Sequence, residues 1–229
     1  MATSGVTSLV LTARDVIKFA LGKLNAIPIG QDPDITEMEP CILELNLMLK
    51  GWETKGPHLW RNTFSTLNLT ANTPSYSMTA DNPLRIVEMR YRYPDGHDLP
   101  MKRLSRIQYT SLPVKASNGI PTQYYFDPQE NGQTLYIWPV PQVVTTDALA
   151  FTFQRRFQIV QSLNNTLDIP QEWLDTVGYN LAERLLPNYG VESQSAARIE
   201  RTSQGLLRAA KAFDRPAFVQ FVPEYRPTR

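Results

Sequence analysis

Residues able to do chemistry are few in this chain. Two histidines, His58 and His97, and one cysteine, Cys41, are its whole stock of imidazole and thiolate metal ligands and of Cys–His nucleophile–base partners. A single thiol forbids an internal disulfide and leaves no zinc site of several thiolates. A cysteine paired with a histidine can attack a carbonyl carbon. Cys41, however, stands one turn from Leu45 in an apolar helical pattern, the usual setting of an inert core thiol. The chain has no G-x-S-x-G, no H-E-x-x-H and no glycine-rich phosphate loop. No metal or cofactor is expected.

Two denser groupings remain. Asp32, Asp34, Glu37, Glu39 and Glu44 crowd one stretch. A pair such as Glu37 and Glu39 is the equipment of sugar hydrolysis, one acid and one base, and would suit a peptidoglycan-degrading enzyme. The same acids also read as loop solvation and as negative charge at a helix N-terminus, which the helix dipole favours. In the middle of the chain Tyr91, Tyr93, Tyr109, Tyr124, Tyr125, Phe126, Tyr136 and Trp138 mix with Arg90, Arg92, Lys102, Arg103 and Arg106. That mixture is the raw material of a single-strand nucleic-acid-binding module. It equally describes a β core with a mixed surface, because aromatics favour strands.

The elements that must position these groups fall into three parts. The first is helical. Thr12 with Asp15 reads as a capping box, and Val16, Ile17, Ala20, Leu21 and Leu24 recur at helical spacing. Pro28, Gly30 and Pro33 break the chain. Thr36 with Glu39 signals a second start, Pro40 falls early in that helix, and Met38, Ile42, Leu45, Leu49 and Trp52 form its apolar face until Gly56-Pro57. From Thr63 to about Val160 the pattern turns to short apolar runs between turns. Pro94-Asp95-Gly96 marks a turn, and Asn131-Gly132 between Tyr124-Tyr125-Phe126 and Leu135-Tyr136-Ile137-Trp138 marks a hairpin. Five or so strands are expected, with a short helical turn in residues 104–112. The third part returns to helix. Pro170 opens one whose line is Trp173, Val177, Leu181 and Leu185, and Ser193 caps another whose line is Ile199, Leu206, Ala210 and Phe213.

Two amphipathic helices at either end cannot bury their stripes alone. The expected fold is therefore α+β. Residues 1–62 and 161–213 form a discontinuous, four-helix-bundle-like domain, and residues 63–160 an inserted β-rich sandwich or barrel. Residues 214–229 form an extended tail. In that tail Phe218, Val219, Phe221 and Val222 are too apolar for a solvated end, and its prolines forbid helix. Such a segment adds to a sheet edge or lies in another chain's groove, or else packs back on its own domain.

The chain's 229 residues carry 23 basic and 22 acidic side chains, a net charge of +1, which excludes a generally basic nucleic-acid coat. No window approaches a bilayer span, and the first residues lack the pattern of a secretory signal.

Several phrases in fixed order resemble the head-to-tail adaptor (tail tubular protein A-like, head-completion) family of short-tailed bacteriophages. They are Leu45-Asn46-Leu47-Met48-Leu49 with Trp52, then Gly56-Pro57-His58-Leu59-Trp60 and Pro83-Leu84-Arg85-Ile86. Ile120-Pro121-Thr122-Gln123-Tyr124-Tyr125, Leu135-Tyr136-Ile137-Trp138-Pro139 and Asp168-Ile169-Pro170-Gln171-Glu172-Trp173 complete the series. The resemblance implies a non-enzymatic virion protein of the neck or tail, made in the host bacterial cytoplasm. It implies a ring, usually of twelve copies, beneath the portal protein and joined to tail nozzle or fibre proteins. Double-stranded DNA would pass through without sequence-specific binding, and no membrane partner is expected in the assembled state. On this resemblance Phe218, Phe221, Tyr225, Arg226 and Arg229 are the candidate portal contacts.

Overall fold

The computed structural model describes residue 5 and residues 8–28, 30–54, 59–130, 132–142 and 147–214. Among these residues the protein is a mixed α+β chain with five α-helices and two four-stranded sheets. It separates into two compact units, Met1–Leu59 with Gln158–Arg229, and Trp60–Phe157.

The helical unit is built on α1 (Ala13–Lys23), α2 (Ile35–Glu53), α4 (Leu174–Leu185) and α5 (Ser193–Phe213). The α1 box forms in full despite its aspartate. The Thr12 N–H donates to Asp15 Oδ2 at 2.9 Å and the Asp15 N–H to Thr12 Oγ1 at 3.3 Å. The helix ends in a left-handed turn at Asn25, φ 54°. There the Asn25 N–H bonds Gly22 O at 3.2 Å and the Ala26 N–H bonds Leu21 O at 3.1 Å, so two orphan carbonyls are satisfied. The start of α2 departs from expectation. Its cap is Asp34 with Glu37, not Thr36 with Glu39, so Pro40 lies in the second turn. The 3₁₀ turn Gln171–Trp173 precedes α4, and Pro170 stands just before it rather than as a first helical residue. At α5 the cap position is Glu192, without a side-chain bond, and Ser193 is already helical.

Helix α4 is the hub of this unit and packs against α1, α2 and α5. Its line Trp173, Val177, Leu181 and Leu185 is buried, as is the α1 set and, on α2, Met38, Cys41, Leu45, Met48, Leu49 and Trp52. Trp52 meets Trp173 with ring centroids 5.6 Å apart. The α1–α4 contact is close because residue 178 is glycine: a Cβ there would lie 2.5 Å from Phe19 Cδ1. The expected apolar line of α5 is only partly inside. Ile199 and Ser203 are buried, whereas Phe213 is 77% exposed.

The β unit holds β1 (Asn62–Asn68), β2 (Ser75–Ser77), β3 (Arg85–Arg92), β4 (Asp98–Pro100), β5 (Lys102–Arg103), β6 (Gln123–Asp127), β7 (Thr134–Trp138) and β8 (Ala148–Gln154), with the short α3 (Arg106–Thr110). The orders are β1-β8-β3-β4 and β2-β7-β6-β5; only β5–β6 is parallel. Ile86, Met89, Tyr91, Leu149, Phe151 and Phe153 of one sheet share a core with Tyr124, Phe126, Leu135 and Ile137 of the other. A bulge between Ile86 and Glu88 lets both Ile86 and Met89 point inward although three residues apart, and leaves Val87 exposed. Gly96, at φ 87°, turns β3 into β4. The strands missed in sequence, β2, β4 and β5, have three residues or fewer, too short for a periodic signal.

Candidate functional site

The groups that could have done chemistry are mostly committed to holding the fold. Cys41 is buried, its thiol bonds Glu37 O at 3.3 Å, and burial pushes its pKa up. A thiol held protonated is the opposite of an activated nucleophile. His97 is exposed in the β3–β4 turn of the other unit, and His58 lies outside the described residues. Among the described residues no three His, Cys, Asp or Glu side chains converge as a metal site would require.

The carboxylate stretch resolves residue by residue. Lys18 Nζ reaches Asp32 at 2.5 Å, and this hydrogen bond, with the lysine's charge, holds Asp32 below the usual carboxylate range. A general acid needs a shift in the other direction. Asp34 caps α2, and Glu37 accepts from the Asp34 N–H at 3.3 Å. Glu44 pairs with Arg184 at 3.4 Å. Asp34, Glu37 and Glu39 are exposed with no ion pair among the described residues.

The aromatic and basic residues also separate. Tyr91, Tyr124 and Phe126 belong to the β core. Burial, then the Asp147 carboxylate bonded to its hydroxyl, raises the Tyr91 pKa. Arg92 grips Asp98 with two bonds of 2.7 and 2.8 Å, and Arg90 pairs with Glu88 at 3.0 Å, so neither offers a bare positive charge. Tyr109, Tyr125 and Tyr136 cluster with centroids 5.1 to 5.8 Å apart, two of the pairs stacked and one tilted. Lys102, Arg103 and Arg106 remain exposed.

Two features of the helical unit do more than complete a core. Asn46, half-buried on α2, donates through Nδ2 to Val160 O at 2.9 Å and accepts from the Val160 N–H at 2.8 Å. One amide thus satisfies both backbone groups of a residue 114 positions away. Nearby, the Ala13 N–H donates to Asn165 O at 2.9 Å and the Arg14 N–H to Leu163 O at 3.0 Å, so the segment after Val160 also occupies orphan donors of α1. The second feature is α2 itself, which is apolar on both sides. Opposite its core face, Leu43 and Leu47 are 61% and 51% exposed. An exposed apolar stripe on a helix marks a contact surface. The run Leu43-Glu44-Leu45-Asn46-Leu47-Met48-Leu49 carried that signal in the sequence, as an apolar pattern too wide for one face.

An apolar groove of about 320 Å³ lies between α1 and α4, lined by Leu9, Leu11, Val16, Phe19, Leu174 and Gly178. Its polar rim is Gln171 and Asp175, and Gln171 Oε1 already accepts from the Leu9 N–H at 3.0 Å. No helix among the described residues is long and apolar enough to cross a membrane. Phe218, Phe221, Tyr225, Arg226 and Arg229, the candidate portal contacts, lie outside the described residues.

The exposed stripe of α2 and the groove beside α1 are surfaces for contact. No curated protein matches the chain. The family model described as SU10 adaptor protein matches residues 12–218, which takes in both units. The chain therefore belongs to the SU10 adaptor protein family, a family of phage head-to-tail adaptors.

Proposed function

We propose that the protein is a ring-forming connector subunit. It sits beneath the portal at the DNA-exit vertex, joins the portal to the tail nozzle and lines part of the channel through which DNA leaves. The observation that carries this reading is the family match across residues 12–218. The exposed Leu43 and Leu47 support it, since a subunit that lives against copies of itself keeps apolar surface outside its own core. The net charge of +1 supports it too, because a lumen that gripped phosphates would slow the passage of DNA. In this reading residues 63–160 are an insertion in a helical domain of residues 1–62 and 161–213. Residues 214–229 extend to the portal, with Phe218, Phe221, Tyr225, Arg226 and Arg229 as contacts.

The deciding experiment is the mass of the purified protein alone and mixed with its portal, by native mass spectrometry. A monomer that becomes a twelve-copy ring on the portal is the expected result. A protein that stays monomeric and unbound with portal in excess refutes the proposal. A chain ending at Arg215 that still assembles on the portal at normal affinity refutes the assignment of the tail.

A further inference from the structure

Two faces of the helical unit are left over once its core is complete, and they complement each other. The first is on α2. Thr36, Pro40, Leu43 and Leu47 follow at three- and four-residue steps, with Glu39 four before Leu43, so they share one stripe, and all are exposed. The second is on α5, a helix of 21 residues that buries only Ile199 and Ser203. On its far side Ala197, Arg201, Gly205, Arg208 and Ala212 recur at the same steps and are exposed. Small residues there alternate with arginines. Neither Arg201 nor Arg208 has an ion pair among the described residues, and neither does Glu39.

Charge and length both match. Helix α2 carries Glu37, Glu39, Glu44 and Glu53 against Lys50, a net −3, and α5 carries Arg198, Arg201, Arg208 and Lys211 against Glu200, a net +3. At about 1.5 Å per residue the two helices are about 28 and 32 Å long, so one can lie along the other. Each helix packs on α4, so one copy presents both faces at once. Pairing α2 with α2, or α5 with α5, would set like charges together. Glu44 is already paired with Arg184 and Glu53 with Lys50, so the charge that α2 brings to α5 of another copy is that of Glu39, opposite in sign to Arg201 and Arg208. Such a contact joins two different faces, so each added copy offers a fresh face to the next, and a closed rotation gives a ring.

We propose that α2 of one copy docks along α5 of the next. Leu47 sits at Gly205, where the lack of a side chain lets the helices approach, and Glu39, eight residues or about 12 Å along α2, meets the arginine on that side, Arg201 or Arg208. The occupant of each face is a second copy of this chain. The inference rests on the connector reading, because it names the contact through which copies join.

The test uses two full-length single-site variants, Leu47→Cys and Gly205→Cys, one bearing a mass tag. Gly205 tolerates a side chain, since a Cβ there meets nothing within 4 Å. Mixed and treated briefly with a short bismaleimide, with portal present and absent, they should give the mixed cross-link in at least tenfold excess over either self-link. Adding Glu39→Arg to one partner, or Arg201→Glu with Arg208→Glu to the other, as the change at the facing position, should cut that yield at least fivefold. Making both changes at the facing positions should restore it. Predominance of the Leu47→Cys self-link overturns the proposal. Rings on the portal without the mixed cross-link also overturn it and leave the connector reading standing. No assembly of any kind, with or without portal, overturns both.

Discussion

The amide clamp at Asn46 gives the sharpest test of how the helical unit is held. Replacing Asn46 with Leu keeps the branching of the side chain and removes both bonds to Val160, at 2.8 and 2.9 Å. Val160 is 4% exposed, so its N–H and C=O lose water as well as the amide. A buried backbone group left without a partner costs about 1–3 kcal/mol. Because Asn46 is only half-buried, water recovers part of this, and we expect a loss of about 2 kcal/mol in total, or about 4–8 °C in Tm for a chain of this size. Helix content during thermal and urea unfolding measures the loss, and amide hydrogen exchange at Val160 locates it. Asn46→Asp adds a check of sign. Its carboxylate still accepts from the Val160 N–H but faces the Val160 carbonyl, so its folded-state pKa rises above the unfolded value. The penalty is then full above the folded pKa and shrinks as pH falls through it, when the protonated acid can donate to that carbonyl. Equal stability of Asn46→Leu and the parent, with unchanged protection at Val160, would refute the reasoning. So would an Asn46→Asp penalty that grows on acidification.

Other consequences follow from the same geometry. Gly178→Ala forces the Phe19 ring aside and should cost about 1–3 kcal/mol, as overpacking does. In a double-mutant cycle most of that cost should vanish when Phe19 is also Ala; an additive pair would show that the ring is not the obstacle. Asp98 is held below its ordinary pKa first by its hydrogen bond to Arg92 and then by that charge. Its contribution is therefore present above the unfolded pKa and is lost as pH falls through the folded one. The Asp98→Asn variant should show less acid destabilisation of the β unit than the parent in pH-dependent melts. Cys41 should react with a thiol reagent at pH 8 at least a hundredfold more slowly in the native protein than in denaturant, whereas an activated thiolate would react at once.

Much of the fold could be read from local pattern, and the failures have physical causes. Thr12 with Asp15 and the α1 periodicity are local, and they marked the helix correctly. Thr36 with Glu39 pointed to a start of α2 two residues too late, because the box that forms is Asp34 with Glu37. The bulge at Val87 broke the alternation of β3, so its inward set could not be read by counting twos. Phe213 sits at helical spacing from Ala210 yet stays outside, because spacing assigns a face but not what covers it. The carboxylate stretch looked like possible chemistry until Lys18 and Arg184 were seen to hold two of its members, one of them from a distant helix. The role of Asn46 was hidden for a like reason: its partner is a main-chain group, which leaves no trace in residue identity.

The discontinuity of the helical unit has a consequence for synthesis. Trp60–Phe157 is one continuous stretch, complete once Phe157 has emerged from the ribosome. Helices α1 and α2 are made before it, but α4, the helix they bury against, follows it. At about 5–20 residues per second the intervening stretch takes roughly 5–20 s to appear. Throughout that time Val16, Ile17, Leu21, Leu45 and Leu49 have no core to enter. The nascent chain thus carries a finished β unit behind two waiting, sticky helices, and its exposure to aggregation and its claim on chaperones should peak just before α4 emerges.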